Sequence, residues 1–286
     1  MNGRSVLLLG GTGFIGTALG TRLEQEGFVV HTVGRTDIWR LEQSLRVCGT
    51  VVHLASATTP SSSAGQPALE LENVALTSRL LGALQPHPET HLIYFSSGGA
   101  IYGNPLRLPV PEDAPLFPLS DHGAAKASQE ALCKAAHDQG RAVSILRPSN
   151  AYGAGQKLKS GFGLVRTLLD HAFHGTTLEI WGDGENVRDY IYIDDVVEAT
   201  VRLIRLPHDR RTYNLGSGIG ASVNQLRRMV ELVSGRPVNT VYRAARSIDV
   251  RGVVLDTSRI RQHLGWQPKV SLADGLDLAW NWLNKK

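Results

Sequence analysis

The sequence predicts an α/β protein, a doubly wound parallel sheet with a smaller C-terminal lobe, and three observations lead there. Short unbroken apolar runs recur through the first half of the chain, as strands buried on both faces require. Helical-looking segments alternate with them, the rhythm of parallel strands joined by crossover helices. A glycine-rich turn stands between the first run and the first helical segment.

Taken in order, Ser5–Leu9 is the first strand, residues 10–16 are the turn, an amphipathic segment runs to about Gln25, and Phe28–Val33 is the second strand. That is a βαβ unit. Further strands are expected in GTVVHLAS (49–56), HLIYFSS (91–97) and AVSILRPSN (142–150), separated by helices near Leu69–Leu84 and Ala124–His137. TTPSSSAGQP (58–67) reads as a loop. After about Pro148 the pattern loosens into the Gly-rich AYGAGQKLKSGFG and a turn at Gly182–Gly184. IDDVVEATVRLIRL and SVNQLRRMVELVSG then read as helices with polar starts suited to capping.

The turn itself, Gly10-Gly11-Thr12-Gly13-Phe14-Ile15-Gly16, satisfies both GxGxxG and GxxGxxG spacings. Glycines there let the backbone turn tightly and approach a pyrophosphate, whose charge then rests on the N-terminus of the following helix. A strand before it and a helix after it supply the context that a lone glycine motif lacks. The reading is a Rossmann-type dinucleotide-binding domain made of residues 1–147 plus about 179–204. A substrate-binding lobe would then take about 148–178 plus 205–286. The active cleft is expected at the carboxyl ends of the strands. After the second strand, where an acidic residue would hold the adenosine ribose hydroxyls, the chain has Gly34-Arg35. A guanidinium suits a 2′-phosphate, so Arg35 leans toward NADP over NAD.

Composition narrows the classes. The 286 residues are 42% hydrophobic and 20% charged, ordinary for a soluble globular protein. The net charge of +4 comes without a basic block or an aromatic-interleaved basic stripe, which argues against a nucleic-acid partner. Cys48 and Cys133 form no CxxC pair and the ten His form no HExxH, so neither a disulfide framework nor a metal site is expected. Apolar runs are too short for a signal sequence or a membrane span, and the expected setting is the cytoplasm.

With GGTGFIG, VVHLA, FSSGGAIYG, GAAK, LRPSNAYGAGQ, IWGDGENVRDYIYIDD and LGWQPKVSLADGL in hand, the chain resembles the extended short-chain dehydrogenase/reductases. It looks most like their nucleotide-sugar epimerase and dehydratase branch, typified by UDP-glucose 4-epimerase. The match runs in order from residue 5 to about residue 280. The resemblance implies that Gly10, Gly13, Phe14, Ile15 and Gly16 cradle the cofactor and that Asp37 and Ile38 touch its adenine. In the family a helix and a third strand precede that pair, so one crossover is expected to be missing here and the sheet edge shortened. Leu54, Ala55 and Ser56 match the strand end beside the cofactor phosphates, and Asn73 a helix residue reaching the same region. Asn150, Arg188 and Arg246 match nucleotide-sugar contacts, two Arg forks being well suited to a diphosphate. Homodimers are frequent among such relatives, and one is expected.

The family's catalytic signature is Tyr-x-x-x-Lys with a Ser or Thr from the preceding strand. There the phenolate takes a proton from the sugar hydroxyl while hydride leaves the same carbon for the nicotinamide. Lys126 stands at the Lys position and matches the nicotinamide-ribose contact as well. His122 occupies the Tyr position, one helical turn before Lys126. Gly98 occupies the Ser/Thr position, with Ser96 and Ser97 the nearest hydroxyls, and Tyr102 a further hydroxyl whose aromatic ring suits packing. Three readings of His122 stand open. It replaces Tyr as proton shuttle, kept neutral by the Lys126 ammonium; or the chain is a binder with little turnover; or His122 is a substitution, natural or deliberate, in an otherwise active enzyme. The functional expectation is a nucleotide-sugar 4-epimerase, with an NADPH-dependent nucleotide-4-keto-sugar reductase as the other enzyme reading.

Overall fold

A computed structural model describes residues 4–35, 37–159, 161–206, 209–246 and 250–285. The chain opens with β1 (Ser5–Leu9), α1 (Phe14–Gln25) and β2 (Val29–Val33). A 3-10 turn (Ile38–Arg40) and the short α2 (Leu41–Leu45) lead to β3 (Thr50–His53). Then come α3 (Ala68–Ala83), β4 (His91–Phe95), α4 (Gly98–Ile101), α5 (Asp121–Asp138), β5 (Val143–Pro148) and β6 (Asn150–Tyr152). The remainder is α6 (Leu164–His174), β7 (Leu178–Trp181), β8 (Val187–Tyr192), α7 (Ile193–Ile204), β9 (Thr212–Leu215), β10 (Gly220–Ser222), α8 (Val223–Ser234), β11 (Thr240–Arg243), β12 (Gly252–Val253), α9 (Ser258–Leu264) and α10 (Leu272–Asn284).

The principal sheet has six strands in the order β2-β1-β3-β4-β5-β9, parallel in register from β2 through β5. Every residue of β3, β4 and β5 is buried, as an unbroken apolar run in a sheet covered on both faces must be. Leu7, Leu9, Val51, Leu92 and Ile145 join Leu80 and Leu84 in one core cluster. Each fully buried aliphatic of this kind contributes roughly 1.5–3 kcal/mol. β2 lies at the edge, and only Val33 of its five residues is fully buried. In the usual doubly wound order one more strand would lie beyond it. Here too few residues separate Val33 from Thr50 to build a helix and a strand, so the chain passes by α2 directly to the other side of β1. Among the described residues no strand lies beyond β2, so the crossover that the sequence expects to be missing is absent from the topology.

The chain clusters into two compact units, residues 1–97, 121–147 and 196–213 in one and residues 98–120, 148–195 and 214–286 in the other. Residues 98–120 and 179–195, which the sequence reading sets with the dinucleotide domain, cluster in the second unit. The reason for the latter segment is β8: it pairs with β6, β10 and β12 rather than with the principal sheet. The anchor of this small sheet is Asp189, 1% exposed, which accepts hydrogen bonds from the Ser217 and Gly218 amides, the Ser217 hydroxyl and the Leu255 amide. Helix α8 begins with a capping box between Ser222 and Gln225, satisfying two amides that the first turn leaves open. No helix among the described residues is long and apolar enough to cross a membrane.

Candidate active site

The glycine turn takes its shape from close backbone approach. Gly10 has φ +93°, and a Cβ there would fall 2.6 Å from the Ala55 amide nitrogen. A Cβ on Gly16 would fall 2.6 Å from the Gly10 carbonyl oxygen, so α1 can pack this close to the turn only without one. Gly13 is different. It is the exposed N-cap of α1, and a Cβ there would meet only Gly10 O, at 3.4 Å. No side chain caps α1 and no acidic residue stands in its first turn. The first-turn amides of α1 therefore have no side-chain cap, and the positive end of the helix lies behind them, which fits a diphosphate.

This geometry separates two substitutions. Gly16→Ala is expected to lower the melting temperature with or without cofactor. Gly13→Ala is expected to leave the melting temperature of the free protein unchanged and to abolish its rise on adding NAD or NADP. Thermal melts of both variants check this; an undiminished rise for Gly13→Ala would mean that the turn is no phosphate cradle.

Beyond β2, Arg35 is exposed and makes no ion pair among the described residues. The Asp37 amide donates to Gly34 O at 3.2 Å, closing the turn, and Ile38 packs its side chain against the core of the sheet. At the end of β3, Ala55 is buried while Leu54 and Ser56 are half-buried. Asn73 pins this loop: its Oδ1 accepts from the Ala57 amide at 2.7 Å, and its Nδ2 donates to Thr58 Oγ1 at 2.9 Å and to Glu70 Oε2 at 2.7 Å. Thr58 in turn donates to Glu70 Oε1 at 2.6 Å.

Glu70 is the residue that the sequence reading passed over. Burial pushes its carboxyl pKa up, but hydrogen bonds from Thr58 and Asn73, with Ser63 and His122 nearby, outweigh burial and hold it below the ordinary value. His122 lies in the first turn of α5, 8% exposed, with Nδ1 3.1 Å from Glu70 Oε1. Its pKa is lowered, first by burial and then by the Lys126 charge, against the pull of Glu70. Lys126 is 7% exposed; its ammonium donates to Phe95 O at 2.9 Å and lies 5.2 Å from the centre of the Tyr94 ring. Burial brings the Lys126 pKa down to about 8, Glu70 and Glu130 opposing. The pair is therefore a buried base whose ring is biased toward neutrality and a cation one turn below it.

Of the nearby hydroxyls, Ser96 Oγ is sealed from solvent and has no hydrogen-bond partner among the described residues, a buried polar atom left unsatisfied. Ser97 is half-buried. Tyr102 is 1% exposed and donates its hydroxyl to Asn214 Oδ1 at 2.6 Å, so it has a structural partner already. The glycine cradle and the uncapped α1 together fit a dinucleotide.

In the second unit, Asn150 on β6 is exposed and donates to Asp189 O on β8 at 2.9 Å. Arg188, on β8 beside Asp189, is half-buried and donates to Val187 O at 2.9 Å. Arg246 is exposed, its guanidinium 5.2 Å from the centre of the Trp181 ring. No group of three or more His, Cys, Asp or Glu among the described residues is placed to hold a metal ion.

Comparison with known proteins shows what the chain as a whole is similar to. The family model described as the NAD dependent epimerase/dehydratase family matches residues 6–216. A UDP-glucose 4-epimerase of Mycolicibacterium smegmatis is 33% identical over 230 residues, covering 79% of this chain and 73% of that protein. A dTDP-4-dehydro-6-deoxyglucose reductase of Escherichia coli is 29% identical over 302 residues, covering 95% of both. The crystal structure of a Thermotoga maritima UDP-glucose 4-epimerase with UDP-glucose superposes with a TM-score of 0.92 at 31% identity, over 98% of this chain and 99% of that one.

Proposed function

We propose that this chain, which belongs to the NAD dependent epimerase/dehydratase family, is a nucleotide-sugar 4-epimerase, with a UDP-sugar as substrate and His122 as its acid/base. The observation that supports it best is the buried His122–Lys126 pair on the first turns of α5, in a chain that matches a UDP-glucose-bound epimerase along almost its whole length. A bound nicotinamide would supply the hydride acceptor and return the hydride to the other face of the sugar carbon. His122 takes the 4-hydroxyl proton and gives it back, and burial together with Lys126 favours the neutral imidazole between turnovers. Ser97 and Ser96 donate hydrogen bonds near the reacting centre. Asn150, Arg188 and Arg246 hold the nucleotide diphosphate, and the chain works as a cytoplasmic homodimer.

A second reading has specific support. Arg35 stands where NAD-binding chains carry a carboxylate, and one relative matched over 95% of this chain is a dTDP-sugar reductase. That reading is an NADPH-dependent reduction of a nucleotide 4-keto sugar. The test is to incubate the protein with UDP-glucose and UDP-N-acetylglucosamine plus catalytic NAD or NADP, and separately with a nucleotide 4-keto sugar plus NADPH. Epimer formation with no net change in cofactor is the expected result. Stoichiometric NADPH loss without epimerisation would replace the first reading with the second, and tight nucleotide-sugar binding with neither would make the chain a binder.

A further inference from the structure

The structure assigns Glu70 as a positioning carboxylate for His122: it accepts the Nδ1 proton, fixes the neutral ring in that tautomer and leaves Nε2 bare to act as the base. This rests on the reading of His122 as acid/base, and it adds a group that the Tyr-x-x-x-Lys pattern does not contain.

The argument is one of hydrogen-bond accounting. Asn73 Oδ1 accepts from the Ala57 amide, which orients its amide so that Nδ2 is the donor to both Thr58 and Glu70. Because Thr58 Oγ1 accepts from Asn73, its own proton goes to Glu70 Oε1 at 2.6 Å. Ser63, nearby, donates its one hydroxyl proton to Thr59 O at 3.1 Å and is not one of these donors. A carboxyl group that receives a donor on each oxygen, Thr58 on Oε1 and Asn73 on Oε2, is favoured in its ionised, acceptor-only form, and a carboxylate offers about four acceptor sites. The second site on Oε1 faces His122 Nδ1 at 3.1 Å, the Glu70 and His122 side chains being 5% and 10% exposed. Nδ1 must then be the donor, and Nε2 is the nitrogen left unprotonated in the neutral ring. Nε2 makes no hydrogen bond among the described residues and is not one of the polar atoms sealed from solvent.

The charged groups acting on the ring are Glu70 from α3 and Lys126 from α5 itself, and they act in opposite directions. Glu70 favours the imidazolium that forms when the base has taken its proton, while Lys126 and burial favour the neutral ring that begins the cycle. Removing the Glu70 charge must therefore lower the His122 pKa further. Since the neutral ring is the working base, the acid limb of the kcat/KM profile moves to lower pH.

Nitrogen-15 NMR of the full-length protein with labelled histidine rings tests this, His122 being identified by the signals lost in His122→Asn. The expected result is a neutral His122 with its proton on Nδ1. In Glu70→Gln its pKa is expected to fall, with an acid limb shifted the same way and turnover lowered about 10²-fold or more, on the pattern of a triad carboxylate changed to its amide. A purely structural Glu70 would move stability and leave tautomer and pH limb in place. A proton on Nε2 in the unaltered protein, which needs no variant to observe, or an unmoved His122 pKa in folded Glu70→Gln, overturns the assignment. Failure of the epimerase reading looks different: the tautomer and pKa shift are seen, and no nucleotide sugar is converted by any form.

Discussion

Replacing His122 with alanine is expected to lower kcat for nucleotide-sugar epimerisation by roughly 10²–10⁴-fold, the range a positioned acid/base contributes, with nucleotide-sugar affinity unchanged. The structural cost should be small. His122 is one of the groups facing the Glu70 carboxylate, and Thr58 and Asn73 still donate to it, one on each oxygen, after truncation. Lys126 also keeps its bond to Phe95 O, which does not involve the imidazole. The loss should therefore be in turnover rather than in folding or in KM, the split that marks a group acting at the reacting atoms. His122→Tyr is the sharper companion. An imidazole reaches less far than a phenol, and a misplacement near 1 Å costs on the order of 10²-fold. If tyrosine raises kcat, the imidazole is the weaker base in a site shaped for a phenol. If it lowers kcat, the site is fitted to the Glu70–His122 pair, because a phenol cannot satisfy Glu70 and reach the sugar at once. Steady-state kinetics with calorimetric binding of UDP-glucose decide the matter. An alanine variant turning over at the original rate would remove His122 from the chemistry.

The legible parts of this protein were those written in short-range pattern. The apolar runs located β1, β3, β4 and β5 because strands buried on both faces admit little else. Arg35 followed so closely by Asp37 and Ile38 announced the missing crossover, since chain length alone forbids an added strand. Glu70 was not legible by the same means. In ALELENVALTSRL it reads as one of several acids on a solvated helix, and only the packing of α3 decides which face is inside. A signal was nevertheless present. Glu70, Asn73, Thr77 and Leu80 recur at steps of three, four and three, the spacing of a core face, and all four are buried. Polar residues at core spacing have to be satisfied within the protein, and a network with a purpose is one way to do so. The assignment of β8 to its small sheet was hidden for another reason: its partners are two- and three-residue strands far along the chain, with no periodicity to read.

The same logic of burial makes the Arg147–Glu130 pair the place where one substitution should cost most stability. Arg147 on β5 donates through Nε to Glu130 Oε1 at 2.9 Å and through a terminal nitrogen to Oε2 at 2.6 Å, and each side chain is 1% exposed. A pair this deep gains little over a well-packed apolar pair, because both ions lose their hydration. Removing one partner is another matter, since the other is left as an uncompensated buried charge. Arg147→Met is therefore expected to cost about 3–5 kcal/mol, a large share of the roughly 5–15 kcal/mol that folds a typical protein. At about 2–4 °C per kcal/mol for chains approaching this size, the melting temperature should fall by roughly 6–20 °C. The double variant Arg147→Met with Glu130→Met should recover most of the loss, as no unpaired charge remains. It should not recover turnover to the same degree. Glu130 lies one turn beyond Lys126 on α5 and supports its protonated form, so without it the Lys126 pKa falls further below about 8 and less of the ammonium is present near neutrality. A double variant as unstable as the single one would show that the pair contributes net energy to the fold. One with both stability and turnover restored would show that Lys126 does not depend on Glu130 for its charge.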